Sequence, residues 1–126
     1  FPEEEFQFEV PTPELKLNAD RTQIEQILIN LLKNAREACS RKSDKKIQVK
    51  ARKLSAGNTT LTISDNGEGI LPDVLDKIFV PFFTTKTSGS GIGLSLCKQI
   101  MTLHEGSINV KSEVGKGSSF ILTFPK

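Results

Sequence analysis

Ile47-Gln48-Val49-Lys50-Ala51-Arg52, Ala56-Gly57-Asn58 and Thr59-Thr60-Leu61-Thr62-Ile63-Ser64-Asp65 follow one another with no helical pattern between them. Ile47, Val49 and Ala51 alternate with polar Gln48, Lys50 and Arg52, the period of a half-buried strand. Leu61 and Ile63 repeat it with threonines on the other side, and Ala56-Gly57-Asn58 has the composition of a hairpin turn. Two strands joined by so short a turn break any strict strand-helix-strand repeat. The expected architecture is an α/β (α+β) sandwich, a mixed and largely antiparallel sheet with helices packed on one face.

Working outward, Ile24, Ile27, Leu28, Leu31, Leu32, Ala35, Ala38 and Cys39 recur at three- and four-residue spacing behind a candidate N-cap, Asp20. This predicts a helix over about residues 21–41. Phe6, Phe8 and Val10, then Leu15-Lys16-Leu17, predict two short strands before it. Downstream, Pro72 starts a short helix through Phe79 that Pro81 stops. Ile92, Leu94, Leu96, Ile100, Met101 and Leu103 form a second helical stripe ending at Gly106. Ser107 to Ser112 and Ser118 to Phe124 read as closing strands around Val114-Gly115-Lys116-Gly117. No repeat or linker interrupts the pattern, so residues 1–126 are expected to form a single domain.

Seventeen Lys+Arg against fifteen Asp+Glu leave a net charge of +2, too balanced to drive the chain onto nucleic acid or an anionic membrane. With 37% hydrophobic and 25% charged residues the chain can bury roughly two thirds of its unfolded surface, which argues against disorder. Cys39 and Cys97 sit in helical stripes without metal-site spacing and read as reduced core thiols. No apolar run reaches the roughly 20 residues of a membrane span, so a cytoplasmic setting is expected. The start at Phe1 suggests a piece of a longer chain.

Three stretches could carry chemistry. Asn30 and Asn34 lie one helical turn apart, so their carboxamides share a side of the helix, although boundary residues bonded to neighbouring loops would look the same. Asp65-Asn66-Gly67-Glu68-Gly69-Ile70 ends a strand with a carboxylate ahead of a turn that can approach a ligand closely. A structural turn has similar composition. An ionised carboxylate only accepts hydrogen bonds and suits an exocyclic amine such as that of adenine. Gly89-Ser90-Gly91-Ile92-Gly93-Leu94 opens a helix, where free amides and the helix dipole favour an anion. Thr84-Thr85-Lys86 lies just upstream, within reach of a terminal phosphate unless it is simply a solvated loop.

In that order, with Phe79-Val80-Pro81-Phe82-Phe83 and the final Gly115-Lys116-Gly117-Ser118-Ser119-Phe120 strand, these motifs resemble the catalytic, ATP-binding domain of bacterial sensor histidine kinases. That superfamily also holds type II topoisomerases, a heat-shock chaperone and mismatch-repair ATPases. The match runs over about residues 14 to 125. Asn30 to Ala35 stands for its asparagine box, Asp65 to Gly69 and Gly89 to Gly93 for its glycine boxes, and Phe79 to Phe83 for its phenylalanine box.

The resemblance implies the Bergerat ATP-binding fold, with ATP between helices and sheet under a mobile lid from Phe83 to Gly91. By position, Asn34 and Asn30 would hold Mg²⁺, and Asp65 would read the adenine amine. Gly67, Gly69 and Ile70 would form the base pocket, with Ser118 supporting Asp65 directly or through water. Thr85, Lys86, Gly89, Gly91, Gly93 and Leu94 would meet the phosphates. Many relatives carry lysine three residues after the magnesium asparagine. Here that residue is Glu37, so phosphate neutralisation would pass to Lys33 or Lys86.

Hydrolysing relatives commonly place a glutamate general base four residues before the magnesium asparagine. Asn30 stands there instead, and an amide takes no proton at neutral pH. Transfer to a histidine is therefore the expected reaction. His104, the sole histidine, lacks an acceptor context and is expected to be structural, so the chain should bind ATP without phosphorylating itself. The implied partners are a dimerisation and phosphoacceptor domain of the same parent and a downstream response regulator, with no nucleic acid or membrane contact. The isolated chain is expected to be monomeric and the parent a homodimer. A clamp-type ATPase, a nucleotide-sensing module and an anti-sigma-type protein-serine kinase are the alternatives.

Overall fold

The computed structural model describes residues 19–81, 83 and 93–125, together with the backbone of 7–9. The expected strand at Leu15-Lys16-Leu17 and residues 84–91 of the lid lie outside the described residues. Among the described residues five strands form one sheet: β1 (Gln7–Glu9), β2 (Ile47–Lys53), β3 (Thr59–Asp65), β4 (Ser107–Glu113) and β5 (Gly117–Phe124), in the order β1-β2-β3-β5-β4. β1 runs parallel to β2 and the other pairs are antiparallel, so the sheet is mixed and largely antiparallel as expected. Gly57, at φ 98°, turns the β2–β3 hairpin, which Leu54 closes by donating to the Asn58 carbonyl at 2.7 Å.

One face of the sheet carries Ile47, Val49, Ile63, Phe120, Leu122 and Phe124, all buried. Helix α1 (Arg21–Ala38) lays Ile24, Ile27, Leu31, Leu32 and Ala35 on that face, and α3 (Gly93–Leu103) adds Cys97, Ile100 and Met101. Fully burying each large apolar side chain contributes about 1.5–3 kcal/mol, which is what ties the helices to the sheet. Asp65 and Ser118 are paired across β3 and β5 at the end of this helix-facing register. The opposite face is polar, with Gln48, Lys50, Thr60, Thr62 and Thr123, and a Ser64–Ser119 hydroxyl pair at 2.8 Å.

α1 ends at a tertiary contact, and α3 ends in a local cap. The α1 stripe predicts a helix to residue 41, yet it ends at Ala38, because the Ala38 carbonyl accepts from the amide of Glu68 at 3.1 Å. A tertiary partner takes the bond that the helix would have continued. At the end of α3, Gly106 donates to the Met101 carbonyl and Glu105 to that of Thr102, a Schellman pattern. The left-handed residue in it is Glu105, at φ 59°, and Gly106 serves a different need. A Cβ on Gly106 would sit 2.3 Å from the Thr123 carbonyl oxygen of β5. The expected helix from Pro72 to Phe79 is α-helical only over α2 (Pro72–Leu75). It continues as turns in which Lys77 donates to Val74 and Val80 to Lys77.

His104 fastens α3 to the start of α1. Its Nε2 accepts from the Asp20 amide at 3.0 Å, which leaves Nδ1–H to donate to the Ile100 carbonyl at 2.9 Å. Asp20 meanwhile caps α1 through Oδ1, which accepts from Gln23. The histidine therefore has the structural role expected of it. His104→Ala should lower the unfolding free energy by roughly 1–3 kcal/mol, read as a drop in thermal midpoint, with nucleotide affinity of the folded protein unchanged.

Candidate functional site

Asp65 is the last residue of β3, and its Oδ1 accepts from the Gly67 amide at 2.8 Å. This side-chain turn fixes the carboxylate and starts the glycine segment. The segment is then held from two sides. On the α1 side, Asn66 donates through Nδ2 to the Asp44 carbonyl at 2.7 Å, and its Oδ1 accepts from the Lys46 amide at 2.8 Å. The Asn66 backbone amide donates to the Lys46 carbonyl at 3.1 Å. On the hairpin side, Gly115 donates to the Glu68 carbonyl at 2.9 Å, and Ile70 donates to Ser112 Oγ at 2.8 Å.

Close approach explains the glycines here. A Cβ on Gly67 would lie 2.5 Å from the Ala38 carbonyl oxygen, and one on Gly69, at φ 77°, would lie 2.3 Å from that of Glu113. Gly117, at φ 127°, leaves space for the Asp65 carbonyl, 2.0 Å from where its Cβ would be. The protein's own backbone demands these three positions. Gly93 differs, because a Cβ there would find nothing nearer than Asn30 Cγ at 3.8 Å. Its absence of a side chain is not required by packing among the described residues.

Asn30 and Asn34 are half-buried, one turn apart on α1. Asn30 reaches across to α3, its Nδ2 lying 3.4 Å from the Gly93 carbonyl oxygen and 3.8 Å from Cys97 Sγ, while its Oδ1 accepts from Gln26 at 3.3 Å. Burial pushes the Cys97 thiol up to about 11, against a smaller opposing effect of the Asn30 bond. Cys39 is raised as well, by burial first and the Asp65 charge second. Both thiols are free and buried, as their place in the helical stripes implied.

Ile70 and Leu94 pack on the edge of the core. Ser118 is buried, and its hydroxyl lies 2.8 Å from Ser112 Oγ. Lys33 is exposed beside Asn34. Thr85, Lys86, Gly89 and Gly91 lie outside the described residues. Asn66 and Ser112 belong to the site's framework although the sequence reading gave them no role. Asn66 was legible as a turn-forming residue directly after Asp65, while Ser112 carried no signal. An open groove of about 380 Å³ lined by Phe79, Pro81, Ser95, Lys98, Gln99, Thr102 and Leu103 contains none of the site residues.

The carboxamide pair is a hard, neutral oxygen donor set, which fits Mg²⁺ held against phosphates that bring their own negative charge. Among the described residues no group of three His, Cys, Asp or Glu could hold a metal ion. No helix of the described residues is long and apolar enough to cross a membrane.

Residues 19–126 match the family described as histidine kinase-, DNA gyrase B-, and HSP90-like ATPase. The chain is 40% identical over 110 residues to the sensor histidine kinase ZraS of Salmonella typhimurium, covering 87% of this chain and 23% of ZraS. Among solved structures, the nucleotide-free catalytic domain of histidine kinase ThkA superposes with a TM-score of 0.83 at 37% identity, covering 96% of this chain and 79% of that one. ThkA in complex with the response regulator protein TrrA matches with a TM-score of 0.75 at 34% identity, over 96% of this chain and 34% of ThkA. The chain spans 18% to 25% of the length of the curated relatives it matches.

Proposed function

Because the chain belongs to the family of histidine kinase-, DNA gyrase B- and HSP90-like ATPases, we propose that it binds Mg-ATP and transfers the γ-phosphate to a histidine on a separate dimerisation and phosphoacceptor domain of the same parent protein. Asp65 accepts the adenine amine from the helix-facing end of β3, and Gly67, Gly69 and Ile70 shape the base pocket beside it. Ser118 stands in register with Asp65 and backs it from β5. Asn34 offers a carboxamide oxygen to the metal, and Asn30 shares in this through the remaining lone pair of its Oδ1. Mg²⁺, when bound, neutralises and orients the triphosphate. Thr85, Lys86, Gly89, Gly91, Gly93 and Leu94 serve the phosphates. Among the described residues nothing lies nearer than 3.8 Å to where a Cβ at Gly93 would stand, which supports a ligand's approach there.

Asn30 is the observation that carries the kinase reading. A hydrolase needs a proton acceptor for water, and a carboxamide whose nitrogen faces the Gly93 carbonyl and whose oxygen already accepts from Gln26 is not one. The γ-phosphoryl group is thereby kept for a nucleophile that needs less activation. An imidazole nitrogen brings its lone pair to phosphorus, the bond to the bridging oxygen breaks, and ADP leaves. Most of the protein's contribution is positioning and charge stabilisation. ThkA has been solved with a response regulator, and a receiver domain of that kind is the proposed next acceptor here.

The test supplies a phosphoacceptor-helix domain in trans with γ-labelled ATP. Acid-labile, base-stable label on a histidine of the acceptor is the expected result, with no label on the chain itself. Release of free phosphate without acceptor, at a steady rate, would instead identify an ATPase.

A further inference from the structure

Ser112 on β4 lies outside every motif discussed above, yet its hydroxyl ties the last residue of the segment assigned to adenine to the start of β5. Its Oγ accepts from the Ile70 amide at 2.8 Å, donates to the Gly117 carbonyl at 3.1 Å, and stands 2.8 Å from Ser118 Oγ. A hydroxyl has one proton and two lone pairs. Since the proton goes to Gly117, Ser118 is the donor in the third contact, and Ser112 is saturated. Ser118 is paired with Asp65 across β3 and β5, and Ile70 closes the turn that Asp65 opens. One oxygen atom therefore sets the far end of the turn relative to the strand on which the near end is aligned.

We infer that Ser112 is a positioning residue for adenine recognition, acting through Ile70 and the glycine turn to aim the Asp65 carboxylate. The inference rests on the reading of Asp65 as the adenine acceptor. Near Asp65 the turn is held by the Asp65–Gly67 bond, and in its middle by Glu68 and Gly115. The bond to Ser112 restrains its last residue, and Ile70 also packs on the core beside the pocket. Without the hydroxyl, the half-buried Ile70 amide loses this acceptor and the turn can shift by the fraction of an ångström that separates a good hydrogen bond from a poor one.

The experiment measures affinities of the whole chain for adenosine, inosine and a non-hydrolysable ATP analogue. Inosine presents a carbonyl where adenosine presents its amine, so the adenosine-to-inosine ratio reads the aim of the carboxylate and not the stability of the fold. Ser112→Ala should weaken adenosine and the analogue by the same factor, roughly fivefold to tenfold, and lower that ratio. Ser112→Thr, which keeps the hydroxyl, should restore both. If the alanine variant does not fold, Ser112→Cys keeps the volume with a weaker donor and acceptor and should lower the ratio in the same direction. An unchanged ratio in a folded Ala or Cys variant overturns the positioning role while leaving Asp65 its function. A wild-type chain that does not prefer adenosine overturns the adenine reading itself, and the inference with it.

Discussion

Asp65→Asn should remove most of the chain's affinity for adenine nucleotides and leave its fold in place. The turn begins with the Asp65 Oδ1 accepting from Gly67, and an asparagine oxygen makes the same bond. What is lost is the charge, and with it a charge-assisted bond to the adenine amine worth about 1.5–3 kcal/mol, roughly a 10- to 150-fold change in affinity. The loss is compounded if the new amide turns its NH₂ toward the ligand's own donor. Calorimetric titration with a non-hydrolysable analogue checks the binding, and a thermal melt checks the fold. Wild-type affinity in the variant would remove Asp65 from the base pocket.

Local signals carried the sequence reading a long way, and it fell short where the cause was distant in the chain. The β2–β3 hairpin was legible because alternation and a Gly-containing turn are written in consecutive residues. The end of α1 was not, since the amide that claims the Ala38 carbonyl belongs to Glu68. Nothing in the sequence around residue 38 marks that capture. At Gly106 the residue type was read correctly as a stop, but the left-handed turn falls on Glu105 and the glycine makes room for β5.

The same distinction runs through the site. Gly67 and Gly69 were read as glycines that let a ligand come close, whereas their own backbone neighbours already exclude a Cβ. Their glycine signature therefore reports the packing that aims Asp65 as much as any contact with nucleotide. Gly93 keeps the ligand explanation, because among the described residues the protein supplies no other. Asn30 and Asn34 were singled out by helical spacing and given their roles by the resemblance, and the structure shows Asn30 engaged with α3. Ser112 could not be found, since a serine on a strand is ordinary until its three partners are known.

The asparagine pair gives the second large expected effect. Asn34→Ala should abolish the Mg²⁺ dependence of ATP affinity and slow phosphotransfer to a supplied acceptor domain at least about a hundredfold. Changing groups that merely orient a metal's ligands costs about 10- to 100-fold, and Asn34 is proposed as a ligand itself. Adenosine, which carries no phosphate, should bind as it does to the wild type. The fold should survive, because Asn34 is half-buried within α1 and alanine is the better helix former by roughly half a kcal/mol. Asn30→Ala has a different signature. It removes the contacts of α1 with the Gly93 carbonyl and Cys97 Sγ, so some loss of stability should accompany any loss of transfer. Measuring ATP and adenosine affinity with and without Mg²⁺, beside a thermal melt and the transfer rate, tells the two apart. An Asn34→Ala chain that transfers phosphate as fast as wild type, with its Mg²⁺ response intact, would take the metal away from Asn34.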